Sequence, residues 1–173
     1  DLDDGGSNHW VKTVTTIREF NPDTTLETLI PDFQGNTEQL DRIIKVHPEI
    51  VSHNIETVRR LTKEVRVQAK YDRSLEVLRY LKEKGMKTKS GIMVGMGESE
   101  DEVLDTLHDL RNAGVDIVTL GQYMQPTPRH LKVANYVHPD VFAMYKREGL
   151  KLGFGYIESG PLVRSSYHAE KHL

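Results

Sequence analysis

Lys87-Thr88-Lys89-Ser90-Gly91-Ile92-Met93-Val94 runs into Gly95-Met96-Gly97-Glu98, and Ser99 then opens a segment of helical period that closes at Gly114. The first run reads as a strand. Ser99 and Glu102 have the spacing of a capping box, and Val103, Leu107 and Leu110 share one helical stripe. A second strand is expected over residues 117–123. Strand, helix and strand in that order is the unit of a parallel sheet, and the rest of the chain repeats it.

Working outward, strands are expected at residues 25–31 and 50–54, a weaker one at 65–68 and a late one at 155–158. Helices are signalled by Val11, Val14 and Ile17 directly after Gly5-Gly6, and by Asn36 and Gln39 at capping-box spacing ahead of Leu40, Ile43 and Ile44. Leu75, Leu78 and Leu81 mark another, stopped by Gly85. Pro139 in a first turn, with Val141, Phe142 and Tyr145, marks the last. Four strand–helix units with their helices outside describe an α/β fold, part of a (β/α) barrel. They are too few to close the common eight-stranded form. No internal repeat or linker divides residues 1–173, and residues 125–138 are the longest loop.

The bulk numbers narrow the function classes. A chain of 173 residues suits one domain with a real core. Its net charge of −3 gives no sign of nucleic acid as an obligatory partner. No apolar run approaches the ~20 residues that span a bilayer, and no secretory leader is visible. With zero cysteine, the chain holds no disulfide and no thiolate-bound metal of its own. The opening Asp1-Leu2-Asp3-Asp4-Gly5-Gly6 reads as mid-protein sequence, so the N-terminus is expected to be truncated.

Functional groups of a parallel α/β array gather at the C-terminal ends of its strands, and four features fall there. Asp4-Gly5-Gly6-Ser7 precedes a helix, where paired glycines allow close approach of a ligand to the backbone; it also reads as a tight loop with Ser7 as N-cap. In Ser52-His53-Asn54-Ile55-Glu56-Thr57, extended backbone would put Asn54 and Glu56 on one face, an amide and a carboxylate suited to a ribose diol. Helix capping by either residue explains the pair equally well, and His53 fits a structural role better than a metal ligand. Glycines at 91, 95 and 97 weaken a core strand, as a flat ligand pressed on the backbone, or a bulge with a tight turn, would require. Gly121-Gln122-Tyr123-Met124-Gln125-Pro126-Thr127 is a strand delivering side chains to a rim, or a plain strand ending.

Together these segments, with Gly160-Pro161-Leu162-Val163-Arg164-Ser165-Ser166-Tyr167, resemble the lipoyl synthases along nearly the whole chain. Gly91, Met93, Gly95 and Glu98 also resemble the wider radical S-adenosylmethionine pattern Gly-x-Ile-x-Gly-x-x-Glu, with Met93 in the isoleucine place. The resemblance implies a six-stranded partial barrel, here without its first strands. It implies two four-iron four-sulfur clusters, whose cysteine triplets lie outside this sequence, so the chain alone is expected to be inactive. S-adenosylmethionine would be the source of a 5′-deoxyadenosyl radical, and one cluster would give up sulfur to a protein-bound octanoyl chain.

The resemblance also implies residue roles. Arg73 would pair the cofactor carboxylate, and Asp4, Gly5 and Gly6 would face its ammonium. Asn54 and Glu56 would hold the ribose; Met93, Gly95, Tyr123 and Gln125 would flank the adenine. Ser165, preferred to Ser166, would be an oxygen ligand to a cluster iron, harder than thiolate and easier to release, with Arg164 supporting it. Implied partners are octanoylated lipoyl carriers (glycine cleavage H protein, the E2 of 2-oxoacid dehydrogenases), a reductant protein and an iron–sulfur carrier. The implied location is the bacterial cytoplasm, or the mitochondrion or plastid of a eukaryote. Two other readings compete: a non-catalytic fragment binding nucleosides or carriers, and an unrelated barrel aldolase using Lys89.

Overall fold

The computed structural model describes residues 2–172. Strands β1 (Glu27–Leu29), β2 (Ile50–Ser52), β3 (Lys87–Val94), β4 (Ile117–Gln122) and β5 (Tyr156–Ser159) form one parallel sheet in the order β1-β2-β3-β4-β5. The helices are α1 (Ser7–Phe20), α2 (Thr37–Lys45), α3 (Thr62–Val65), α4 (Tyr71–Glu83), α5 (Glu100–Asn112) and α6 (Pro139–Lys151). Each strand joins beside its predecessor, so right-handed crossovers put every connecting helix on the same face. Such a sheet lacks the reversal that gives a doubly wound fold helices on both sides. It is an arc of a barrel with five strands among the described residues, one more than the four left when the implied six-stranded barrel lacks its first two.

Strand parity sorts the side chains. Ile92, Val94, Val118 and Leu120 pack with Leu75 and Leu78 of α4 and with Val103, Leu107 and Leu110 of α5 in one core. A smaller cluster joins Val51 to Leu40 and Ile43 of α2 and to Val77 and Leu81 of α4. Alternate positions, Lys89, Gly91 and Met93 on β3 and Thr119 and Gly121 on β4, therefore face the inside of the arc. The C-terminal segment crosses that inner face: the Val163 carbonyl lies against Gly121, and the His172 ring packs on Tyr156 with centroids 4.6 Å apart.

The expected strand at residues 65–68 is absent. Thr62–Val65 forms one helical turn instead, and Arg66 N–H donates to the Thr62 carbonyl at 2.8 Å. β2 and β3 already pair directly with each other, which leaves that run no neighbour. The Ser99–Glu102 capping box is complete, with both reciprocal bonds made. At α2 the expected box with Gln39 does not form; Asn36 caps the helix alone, its Oδ1 accepting from Glu38 N–H at 2.9 Å. Ser7 does not cap α1. Asp4 does so, accepting from Gly6 N–H at 2.9 Å and Asn8 N–H at 3.0 Å, while Ser7 is buried and accepts from Arg42.

Leu78 is 0% exposed at the α4–sheet contact, and Leu150 on α6 is 50% exposed. Leu78→Ala is expected to lower unfolding free energy by about 2–5 kcal/mol, and Leu150→Ala by less than about 0.5 kcal/mol, both read from urea denaturation.

Candidate functional site

Beyond Ser52 the chain leaves β2 but keeps bonding to β3. His53 N–H donates to the Lys89 carbonyl at 3.0 Å, Glu56 N–H to Gly91 at 2.9 Å, and Met93 N–H to Glu56 at 2.8 Å. Between these ties Asn54 and Ile55 bulge, with Ile55 N–H donating to Ser90 Oγ at 3.1 Å and Glu56 adopting φ 67. The bulge brings the two polar side chains together, Asn54 Nδ2 donating to Glu56 Oε1 at 3.2 Å. The expected neighbours thus meet through a bulge and not through regular extended backbone. Behind them His53 is buried, with Nδ1 3.0 Å from the Ile30 carbonyl and Nε2 2.9 Å from Ser74 Oγ. Burial holds its pKa below the ordinary histidine value, and both nitrogens are occupied. It is a strut.

Asn54, Glu56, Met93, Arg164 and Ser165 line one cavity of about 290 Å³, together with Gly91, Thr119 and Gly121. Two glycines make its floor by close approach. A Cβ on Gly91 would stand 2.8 Å from Asn54 Oδ1, and one on Gly121 would collide with the Val163 carbonyl. Asn54 Oδ1 is buried and has no hydrogen-bond partner among the described residues. An acceptor so placed is costly unless something donates to it. Beside it, burial raises the Glu56 pKa above the ordinary 4.5, against the lowering effects of Asn54 and Arg66. Two acceptors side by side in a small cleft match a ligand that presents two hydroxyl donors.

The other expected residues lie elsewhere. Gly5, Gly6 and Arg73 line a second, wider groove with Asp32, Arg66 and Gln68, and the Asp4 carboxylate is taken up by the α1 amides. Arg73 Nε donates to Asp32 Oδ2 at 2.6 Å and Nη2 to the Gln68 carbonyl at 3.0 Å. Burial pushes Asp32 upward, but the Gln34 amide and Arg73 outweigh it and hold its pKa below the usual value. Gly95, Tyr123 and Gln125 line neither space and organise the long loop. Gly95 O accepts from Ala134 N–H at 2.8 Å, Tyr123 Oη donates to Leu131 O at 2.8 Å, and Gln125 Nε2 donates to His130 O at 2.9 Å. Ser166 is exposed and is not part of the cavity wall.

The sequence reading missed Thr119, whose i, i+2 relation to Gly121 carried the signal, and Arg66, which had none. Arg66 Nη1 donates to the Ile55 carbonyl at 3.3 Å and to Ser74 Oγ at 3.2 Å, tying the groove to the back of the bulge. The glycine pattern after β3 also acquires a cause. Gly95 takes φ 99, and the Glu98 carboxylate accepts from the Gly95 and Met96 amides, the latter at 2.9 Å, closing the turn that leaves the strand.

Lipoyl synthase of Flavobacterium johnsoniae is 65% identical over 174 residues, an alignment taking in 100% of this chain and 60% of that protein. The mitochondrial lipoyl synthase of Nematostella vectensis is 66% identical with the same coverage, and that of Bacteroides fragilis is 55% identical, again over 100% of this chain and 60% of the protein. The chain therefore spans about 60% of the length of these curated relatives. Among solved structures, methylornithine synthase superposes with a TM-score of 0.65 at 15% identity, covering 91% of this chain and 54% of that one, a likeness of fold. The sequence model of the radical SAM superfamily matches residues 7–121, across the bulge, the glycine-bearing strand and the turn closed by Glu98, and the chain belongs to that superfamily.

Proposed function

We propose that this chain is the nucleoside-binding and C-terminal part of a lipoyl synthase, which inserts two sulfur atoms, at C6 and C8, into a protein-bound octanoyl chain. The observation that carries the reading is the unsatisfied Asn54 Oδ1 beside the Glu56 carboxylate, in a cavity that also takes Ser165. Relatives bearing that enzyme's name, 65% and 66% identical, support it. The residues fit the nucleoside half of S-adenosylmethionine: Asn54 and Glu56 accept from the ribose hydroxyls, while Gly91 leaves room for them. When bound, that cofactor supplies a 5′-deoxyadenosyl radical that takes hydrogen from the acyl chain. Met93 adds an apolar contact at the cavity wall. Gly95, Tyr123 and Gln125 act by shaping the adjacent loop, and the guanidinium of Arg73, steadied by Asp32, is the candidate for the cofactor carboxylate, with Asp4, Gly5 and Gly6 near its ammonium.

The clusters do not fit this chain by itself. It has no cysteine, and among the described residues no three His, Asp or Glu side chains gather as a metal site. Ser165 offers one oxygen donor, with the Arg164 guanidinium adjoining it, to a metal whose other ligands come from sequence outside these residues. Octanoylated carrier domains, a reductant protein and a cluster donor are the partners this reading needs. No described helix is long and apolar enough to cross a membrane, and the relatives' names suit a bacterial or a mitochondrial setting. The lack of cysteine favours a second reading, a fragment that binds nucleosides without turnover. Supplying the cysteine-bearing segment and measuring lipoyl product separates the two.

Folding raises the Glu56 pKa above 4.5 through burial, so the folded protein holds that proton more tightly than the unfolded chain. The resulting penalty is absent below the unfolded value and is complete once pH exceeds the folded one. Glu56→Gln is therefore expected to raise the melting temperature at pH 7, a gain that fades by about pH 4. It should also weaken S-adenosylmethionine binding by about tenfold or more in calorimetry. Arg73→Ala should likewise weaken that binding, and unchanged affinity would remove Arg73 from the site. With the cysteine-bearing segment present, Ser165→Ala is expected to cut lipoyl product about tenfold more than 5′-deoxyadenosine. Equal loss of both would deny Ser165 its role.

A further inference from the structure

We propose that Lys89 and His172 are positioning residues for Ser165: they clamp the far end of the C-terminal segment inside the arc and so hold the Val163–His172 arch at the cavity. The proposal rests on the reading of Ser165 given above. Lys89 is the third residue of β3 and is 0% exposed. Its Nζ donates to Glu27 Oε2 of β1 at 2.8 Å and lies 3.2 Å from His172 Nδ1. Glu27 in turn accepts from Ser52 Oγ of β2 at 2.7 Å. His172 is 1% exposed, its ring packs on Tyr156 of β5, and its carbonyl accepts from Lys87 Nζ of β3. One residue of the tail is thus gripped by strands from both edges and the centre of the sheet.

An enclosed ammonium costs several kcal/mol unless it is paired and hydrogen-bonded, and an apolar side chain would fill the same space more cheaply. What the charged cluster adds is a defined partner for the tail. Lys89, Glu27 and His172 do not line the cavity of Asn54 and Ser165, so the chemistry assigned to that cavity makes no use of them. The aldolase role once open to Lys89 is countered by its enclosure and ion pair.

At the near end Val163 is 5% exposed, its carbonyl seated on Gly121 and its N–H donating to Gly160 O at 3.1 Å. Between the two ends the arch bonds chiefly to itself. Arg164 Nη1 donates to the Val163 carbonyl at 2.7 Å, Tyr167 N–H to Arg164 O at 2.9 Å, and His168 Nδ1 lies 3.1 Å from Glu170. With little else holding Ser165, its place is set by where the ends are fixed, and a second anchor removes most of the freedom a single tether would leave.

Hydrogen–deuterium exchange read by mass spectrometry on the 173-residue chain tests the clamp. His172→Ala, which leaves every strand residue and the Lys89–Glu27 pair unsubstituted, is expected to speed exchange of residues 163–171 by about tenfold or more while β3 and β4 keep their protection. Lys89→Met should do the same, and if that variant fails to fold His172→Ala still decides. Unchanged exchange in the tail overturns the proposal. With the cysteine-bearing segment present, His172→Ala should lower the ratio of lipoyl product to 5′-deoxyadenosine, as Ser165→Ala does. If Ser165→Ala shifts that ratio and His172→Ala does not, the positioning role falls. If the tail loosens but Ser165→Ala leaves the ratio alone, the clamp stands and the reading of Ser165 is what fails.

Discussion

A parallel sheet whose strands are laid down in chain order can cover only one of its faces with its own crossover helices. Here α2, α4, α5 and α6 are those helices, and the apolar rows of β2, β3 and β4 pack against that side. The opposite rows must meet something else. The chain answers with small and polar residues there, Gly91, Thr119 and Gly121, and with its own C-terminal segment laid across them. The cavity, the seat of Val163 and the enclosure of Lys89 all follow from that one uncovered face.

Within this frame the site depends on a local departure from regularity. Had β2 continued straight to residue 54, strand parity would still have put Asn54 and Glu56 on one side. The bulge instead sets them in contact at 3.2 Å and leaves one amide oxygen unsatisfied. Glu56 carries a raised pKa because the same geometry withdraws it from water. Stability is spent on a carboxylate that a ligand would repay, a pattern common at binding sites.

How much of this could be read from residues alone varies by element. Lys87–Val94 was legible to its ends because an apolar run and a complete capping box agree. The strand expected over 50–54 stops at Ser52, since the bulge that ends it is fixed by Ser90 Oγ, a partner 35 positions away. Residues 65–68 have the composition of a strand and no neighbour to pair with. Asp4, Gly5, Gly6 and Arg73 were foreseen as one party with Asn54 and Glu56, yet Gly5, Gly6 and Arg73 line a separate groove and Asp4 is held by the Gly6 and Asn8 amides, because local motifs carry no information on which loop faces which. Lys89 is the sharpest case. A lysine within a strand suggests solvent or catalysis, and its partner His172 lies 83 positions downstream.

The seat of His172 has a consequence for assembly. It is composed of side chains from β1, β3 and β5 and exists only when all three strands stand in register. The segment that carries His172 therefore lies as a seal across those strands. A tail held there reports that β1, β3 and β5 stand in place, and slippage of any of the three would open that closure.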